Sequence, residues 1–370
     1  MKIVFLSSNL SAKLSFLNHA VSSRGQLPIL SNFLLETKKG KFHISSTDLE
    51  MGIQTSIPAN VEEEGKTTVP AKNFSELVSN LGEEKVTLSL SDQSLKLTTG
   101  KVKSAFQTTP AEEFPKLFEE KGEEVAQIKR EVIDKKMGRV VFAAAVESSR
   151  PALSGILLQK AKGGYIAVAT DGYRLSLQKN ISIGEKGEVK DKDLLIPARL
   201  IKELISLKEE GDTLKMYVSE KSNQTIFEQG ETLVVGRLIE AKFPEYEKII
   251  PEEHNSKTSF SRQDLQNAVR ICSVFARETA NILKLSLKKD RIVISANTPS
   301  VGENTVDVEA KLEGEENEIA FNARYLSELL SNIEEDEMTF EMQGPFNSGV
   351  FRVVGDNDFL HLIMPIRVQE

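Results

Sequence analysis

Apolar positions follow helical and alternating spacings in one order, and the chain runs through that order three times. Each pass opens on a short strand: Ile3-Val4-Phe5-Leu6, Val125-Ala126-Gln127-Ile128 and Thr258-Ser259-Phe260. Apolar residues at i, i+4, i+7 and i+11 come next. They are Leu10, Leu14, Leu17, Val21; Ile133, Met137, Val140, Ala144; and Leu265, Val269, Cys272, Ala276. This spacing keeps one helix face apolar. A second helix carries a narrower stripe: Phe74, Leu77, Val78; Ile201, Leu204, Ile205; and Leu326, Leu329, Leu330. Period-two strands close each pass, with Val86, Leu88, Leu90 returning through Leu95 and Leu97. Leu214, Met216, Val218 and Met338, Phe340, Met342 are their counterparts. The spacing predicts helices over 9–24, 70–80, 131–150, 197–208, 261–281 and 322–332.

Two landmarks fix the period. The alanines that open the second helices, Ala71, Ala198 and Ala323, lie 127 and 125 residues apart. Asp48 and Asp171 in a Thr-Asp pair, and Asn297 in the third pass, lie 123 and 126 apart. A repeat of that length is a whole domain rather than a solenoid unit. Three domains are expected, at 1–121, 122–250 and 251–370, with Phe114-Pro115 and Phe243-Pro244 near the first two ends. Each reads as an α+β unit in which two helices pack on one face of an antiparallel sheet.

Composition narrows the function. With 39% apolar and 28% charged residues, the chain has globular composition, and no apolar run approaches the roughly 18 residues that span a bilayer. A single cysteine, Cys272 on an apolar helix face, implies a core residue, no disulfide framework and a reducing cytoplasm. No phosphate-cradling glycine motif is present, and the four histidines are too scattered for zinc, so neither a cofactor nor a metal is expected. Asp48 and Asp171 suit strand-ending turns better than a catalytic pair, since the third pass carries Asn297. A net charge of −8 argues against nucleic acid. Its distribution argues otherwise: the six helical segments together carry +6, leaving −14 elsewhere.

Basic helices on an acidic frame suggest a curved array with its helices inside. A domain of this length is roughly 35 Å across, so three in contact leave a hole only about 5 Å wide, while six leave about 35 Å. A duplex, with grooves about 8 Å deep on either side, passes only the larger hole. Two chains joined head to tail therefore close a ring that one chain cannot.

The stretch Val168-Ala169-Thr170-Asp171-Gly172-Tyr173-Arg174-Leu175 resembles a motif of the bacterial sliding clamps, the beta subunits of DNA polymerase III. So do Leu27-Pro28-Ile29-Leu30, Thr47-Asp48-Leu49-Glu50, Pro197-Ala198-Arg199 and the ending Met364-Pro365-Ile366-Arg367, in order along the whole chain. The resemblance implies a homodimeric ring of six domains around duplex DNA, without catalysis of its own and without sequence preference. The implied partners are the polymerase catalytic subunit, the clamp loader, and other polymerases and repair proteins that dock through short peptides. It also implies a peptide pocket built from Leu153, Thr170, Gly172, Tyr173, Arg174, Leu175, Pro244, Lys248 and Ile249. Leu362, Met364, Pro365, Ile366, Arg367 and Val368 complete that pocket. Lys248 stands where many relatives carry arginine, and Gln369-Glu370 extend past the family's usual ending. Arg24, Lys72, Arg150 and Arg199 are expected to face DNA, and Phe106, Val274 and Phe275 to meet at the dimer contact. A three-domain interaction scaffold that never meets DNA is the alternative; an enzyme would show polar residues clustered in one repeat, and none are seen.

Overall fold

The computed structural model describes residues 1–22, 27–146, 149–162, 164–185, 193–278, 280–299 and 302–367. Arg24 and Val368, two of the expected site residues, lie outside the described residues. Among those described, six α-helices form: α1 Ser7–Leu17, α2 Ala71–Ser79, α3 Gly138–Val141, α4 Ala198–Ser206, α5 Arg262–Ala276 and α6 Ala323–Ser331. The chain divides into two compact units. One comprises Met1–Arg130, Ile183–Lys190 and Lys202–Leu238; the other Glu131–Ser182, Asp191–Ile201 and Ile239–Glu370.

The first unit is built on two antiparallel sheets. A five-stranded sheet runs from Asn60–Glu63 through Lys2–Leu6, Lys85–Ser91 and Ser94–Thr98 to an edge at Lys103–Gln107. The nine-stranded sheet joins two repeats, because Met51–Pro58 of the first pairs with Thr232–Arg237 of the second. Helix α1 buries Leu10, Leu14 and Leu17 completely, as the spacing requires, while Val21 lies past its end. Buried serines tie both ends of α1 to neighbouring segments, and the second also satisfies a helix carbonyl. Ser7 Oγ donates to Gly82 O (2.6 Å) and Ser46 Oγ to Leu17 O (2.6 Å). The helix therefore stops earlier than 24, its last carbonyl taken by a side chain from the sheet.

The second unit holds one twelve-stranded sheet. It runs from Leu194–Pro197 through Gly155–Ala161, Gly164–Thr170 and Arg174–Ile181, then crosses to Asp356–Ile363, Gly349–Val353, Glu337–Met342 and Ser256–Ser261. Gly302–Gly314, Arg291–Thr298, Ile282–Leu287 and Asn317–Asn322 follow. Helices α5 and α6 cover the third-repeat part, burying Leu265, Val269, Cys272 and Ala276 with Leu326, Leu329 and Leu330. Cys272 is a core thiol: its Sγ lies 3.5 Å from Ile294 O, and burial pushes its pKa up to about 11. Helix α5 ends at Ala276 rather than at 281, since Thr298 Oγ1 donates to Phe275 O and occupies that carbonyl.

The long helix expected over 131–150 does not form. Val132–Met137 makes a wide π turn, α3 adds four residues, and the chain then leaves the helix. The wide turn lets adjacent Val132 and Ile133 both point inward with Met137. Beyond α3 the backbone finds other partners, with Phe142 O taking a hydrogen bond from Arg174 Nη2 (2.9 Å) and Ala145 N–H donating to Leu153 O (2.9 Å). Apolar spacing reported the buried face correctly, but these long-range bonds decided where the helix ends.

Phe321, Phe340 and Phe351 form the densest part of the third-repeat core, with Phe340 and Phe351 stacked at 4.6 Å. Gly349 makes room for them: a Cβ there would stand 2.4 Å from Phe340 Cε2 and 2.6 Å from Phe321 Cζ. Gly349→Ala is expected to destabilise this repeat by about 1–3 kcal/mol through overpacking, read as a lower urea midpoint by circular dichroism.

Candidate functional site

The Thr-Asp landmark is a turn, and it shapes the site. Thr170 Oγ1 donates to Arg174 O (2.6 Å) and accepts from Gly172 N–H (3.0 Å). Asp171 Oδ1 accepts from the N–H groups of Tyr173 (2.9 Å) and Arg174 (3.1 Å). Gly172 sits at φ 93°, a left-handed conformation, and a Cβ there would meet Arg150 Nη2 at 3.0 Å. This self-contained turn delivers Leu175 into register against Leu362, and Leu177 against Leu360. With Val350, Leu157, Val168 and Tyr246 these residues form one apolar cluster on the sheet face. Its floor is buried, and its rim is open: Tyr173 is 62% exposed, Met364 47% and Ile249 51%.

Arg174 is turned inward. Its guanidinium bonds Asp171 Oδ2 (3.0 Å), Glu328 Oε2 (2.6 Å) and Phe142 O, and lies 4.7 Å from the Tyr325 ring centroid. It locks the turn to α6, and losing one partner of such a buried pair typically costs about 3–5 kcal/mol. Burial would raise the Glu328 carboxyl, but hydrogen bonds from Arg324 and Arg174 outweigh it and hold its pKa below the usual range. Next to this cluster, His361 is fully buried, with Nδ1 2.6 Å from Ser176 Oγ and its ring stacked on Phe142 at 5.2 Å.

The tail is laced to the rim by backbone bonds. Met364 N–H donates to Tyr173 O (2.9 Å) and Ile366 N–H to Ala320 O (2.8 Å). Pro365 and Ile366 are half-buried, and Arg367 is exposed with its guanidinium carbon 5.9 Å from the Phe346 ring centroid. Leu153 is buried, while Pro244, Lys248 and Ile249 are exposed and Lys248 pairs with Glu245. The expected pocket residues other than Val368 all belong to the second unit. Sequence reasoning missed Tyr246, Val350, Phe346 and His361. Tyr246 and Val350 carry no local signal, because only the sheet register brings them to this face.

The other expected residues are dispersed. Lys72, exposed at the start of α2, rims a groove of about 370 Å³ lined also by Ser15, Asn18, Ser75, Glu76 and Ser79. Arg199 is exposed on α4, whereas Arg150 lies beside the Gly172 turn. Phe106 is half-buried and meets the Phe74 ring edge-on at 5.6 Å. Val274 is 58% exposed, and Phe275 packs on the third-repeat core. Ile271, one helical turn before Val274, is also exposed and was not anticipated.

The buried histidine sets a pH dependence. Burial, and then the nearby Arg174 charge, hold the His361 pKa well below its usual value. The folded chain keeps it neutral, while the unfolded chain takes up a proton below about pH 6.5. Its contribution is therefore full above that pH and is lost as pH falls. The urea midpoint should drop between about pH 7.5 and about pH 5.5, and His361→Gln should remove part of that drop; an unchanged slope would count against a neutral buried imidazole.

Family models match the chain in three consecutive parts. The DNA polymerase III beta subunit N-terminal domain matches residues 1–118, the central domain 127–245 and the C-terminal domain 247–367. A beta sliding clamp from Synechococcus elongatus is 29% identical over 377 residues, covering 100% of both chains. One from Staphylococcus aureus is 27% identical, covering 94% of each. Among solved structures, the Pseudomonas aeruginosa clamp bound to griselimycin aligns at a TM-score of 0.91 and 26% identity, and the Bacillus subtilis clamp at 0.91 and 25%, both over 100% of each chain. With the same three domains in the same order along its length, the chain belongs to the DNA polymerase III beta subunit family, the bacterial sliding clamps.

Proposed function

We propose that the chain works as a homodimeric ring around duplex DNA, with domains at 1–121, 122–250 and 251–370, and that it tethers polymerases and other replication or repair proteins. The role is mechanical, as for the non-catalytic processivity subunits of its family. The observation that carries ring closure is a pair of open strand edges at opposite ends of the repeat order. Among the described residues, Lys103–Gln107 pairs on one side only, with Ser94–Thr98. Among the described residues, the 302–309 part of Gly302–Gly314 pairs only with Arg291–Thr298. The first edge carries Lys103, with Lys101 in the bend before it, and the second carries Glu303, Asp307 and Glu309. Opposite charges steer such edges together and disfavour like-with-like pairing.

Exposed Lys72 and Arg199 suit contact with a passing phosphate backbone, which conveys position but no sequence. After loading, the parent protein should stay on closed circular DNA and leave once the circle is cut. Val274→Glu removes an exposed apolar residue without entering the core, and it should give monomers by light scattering and loss of that retention. A dimer that survives the change would argue against the α5 contact.

The Leu175–Leu362 seam, with its exposed rim, supports the reading of a groove for short peptides in which a few buried apolar anchors supply most of the affinity. A peptide with a glutamine followed by leucine and phenylalanine should bind the parent in a calorimetric titration. Leu175→Ala with Met364→Ala should abolish that binding while leaving the dimer and its DNA retention unchanged; parent-like affinity in the double variant would refute the groove.

A further inference from the structure

The seam between Met51–Pro58 and Thr232–Arg237 repeats the architecture of the groove residue for residue. Gly52 pairs with Val235 as Leu175 pairs with Leu362, and Gln54 pairs with Leu233 as Leu177 pairs with Leu360. Thr47 Oγ1 donates to Met51 O (2.8 Å), matching Thr170 to Arg174. Asp48 Oδ1 accepts from the N–H groups of Glu50 (3.1 Å) and Met51 (2.9 Å), matching Asp171. Past the ladder, Arg237 N–H reaches Glu50 O at 3.5 Å, where Met364 N–H reaches Tyr173 O.

Two differences give the first seam another fate. Its floor leucine is replaced by Gly52, and the vacated space is filled by the segment after Phe114-Pro115. A Cβ on Gly52 would stand 2.6 Å from Leu117 Cδ2. Leu117 O also accepts from Gln224 Nε2 (3.0 Å), and Leu117 and Phe118 pack with Tyr217 over Ile226, Leu233 and Val235. In the second unit, the residue at the same distance past Phe-Pro is Tyr246. Its hydroxyl is held by Gln159 Oε1 (2.8 Å) on Gly155–Ala161, two strands away from the one carrying Leu175.

We propose that the Gly52 seam is a second groove of the same kind, kept occupied by the chain's own Leu117 and Phe118. The inference rests on reading the Leu175 seam as the partner groove. A segment tethered this closely acts at an effective concentration of millimolar or more, so a free peptide at micromolar levels does not displace it. One repeat thus covers its apolar seam from within, and the next leaves its seam to partners, giving one peptide site per chain.

Titration of the full-length protein with the glutamine–leucine–phenylalanine peptide tests this. The parent should bind one peptide per chain. Leu117→Ala with Phe118→Ala should bind two, the second more weakly. Gly52→Leu with Leu117→Ala rebuilds the floor leucine and should also bind two. Adding Leu175→Ala and Met364→Ala to either variant should return the count to one, assigning the extra peptide to the Gly52 seam. A count of one in both folded variants overturns the proposal, as does a parent that already binds two. A parent that binds none refutes the reading of the Leu175 seam, and this inference with it, before any variant is made.

Discussion

The unpaired backbone of strand edges is the constraint on which the rest of this structure depends. Every repeat ends in strands whose N–H and C=O groups need partners, and two of these edges are satisfied by the neighbouring repeat. Met51–Pro58 finds Thr232–Arg237, and Arg174–Ile181 finds Asp356–Ile363. Each pairing merges two repeats into one sheet and sets the register at the seam. The Thr-Asp turns matter because they fix where each seam begins. The third repeat lacks that turn: Asn297 and Thr298 stay in a ladder with Glu303 and Gly302, and the far side of 302–309 pairs with no strand among the described residues.

Around the second seam, buried charge supplies the specificity that backbone pairing lacks. Arg174 ties the turn to α6 through Glu328, and Arg139 ties the start of the second repeat to the third through Glu335 and Asp356. His361, fully buried and neutral, stacks on Phe142, whose carbonyl Arg174 also bonds. These contacts hold the tail against Tyr173, so the rim of the groove inherits its shape from the same bonds that join the repeats. At this seam Leu175 and Leu362 are buried while Tyr173 and Met364 stand exposed beside them.

Much of this was legible along the chain. Apolar spacing located α2, α4, α5 and α6 and the alternating strands, because burial of one face is a local pattern with a fixed period. The Thr-Asp turns were readable for the same reason, since the bonds from their threonine and aspartate side chains to the turn backbone span no more than four residues. The 131–150 segment misled because its ending depends on Arg174 and Leu153, which no window of sequence brings near Phe142 and Ala145. Resemblance placed Arg174 in the pocket, yet its guanidinium faces the interior, since two carboxylates and a carbonyl converge there.

The sequence by itself determined the threefold repeat, the α+β character of each unit, the absence of a disulfide framework and the turns that open each seam. All of these follow from spacing and composition, which act over a few residues or over the chain as a whole. Tertiary structure alone decided which edges pair and which stay open, where Tyr246 and Val350 stand, and which seam is filled by the chain itself. Gly52 and Leu175 occupy the same place in their repeats, and neither says what will cover it. That depends on a connector reaching the sheet from residues 114–118 or passing two strands away at Tyr246, a difference that exists only once the sheet has formed.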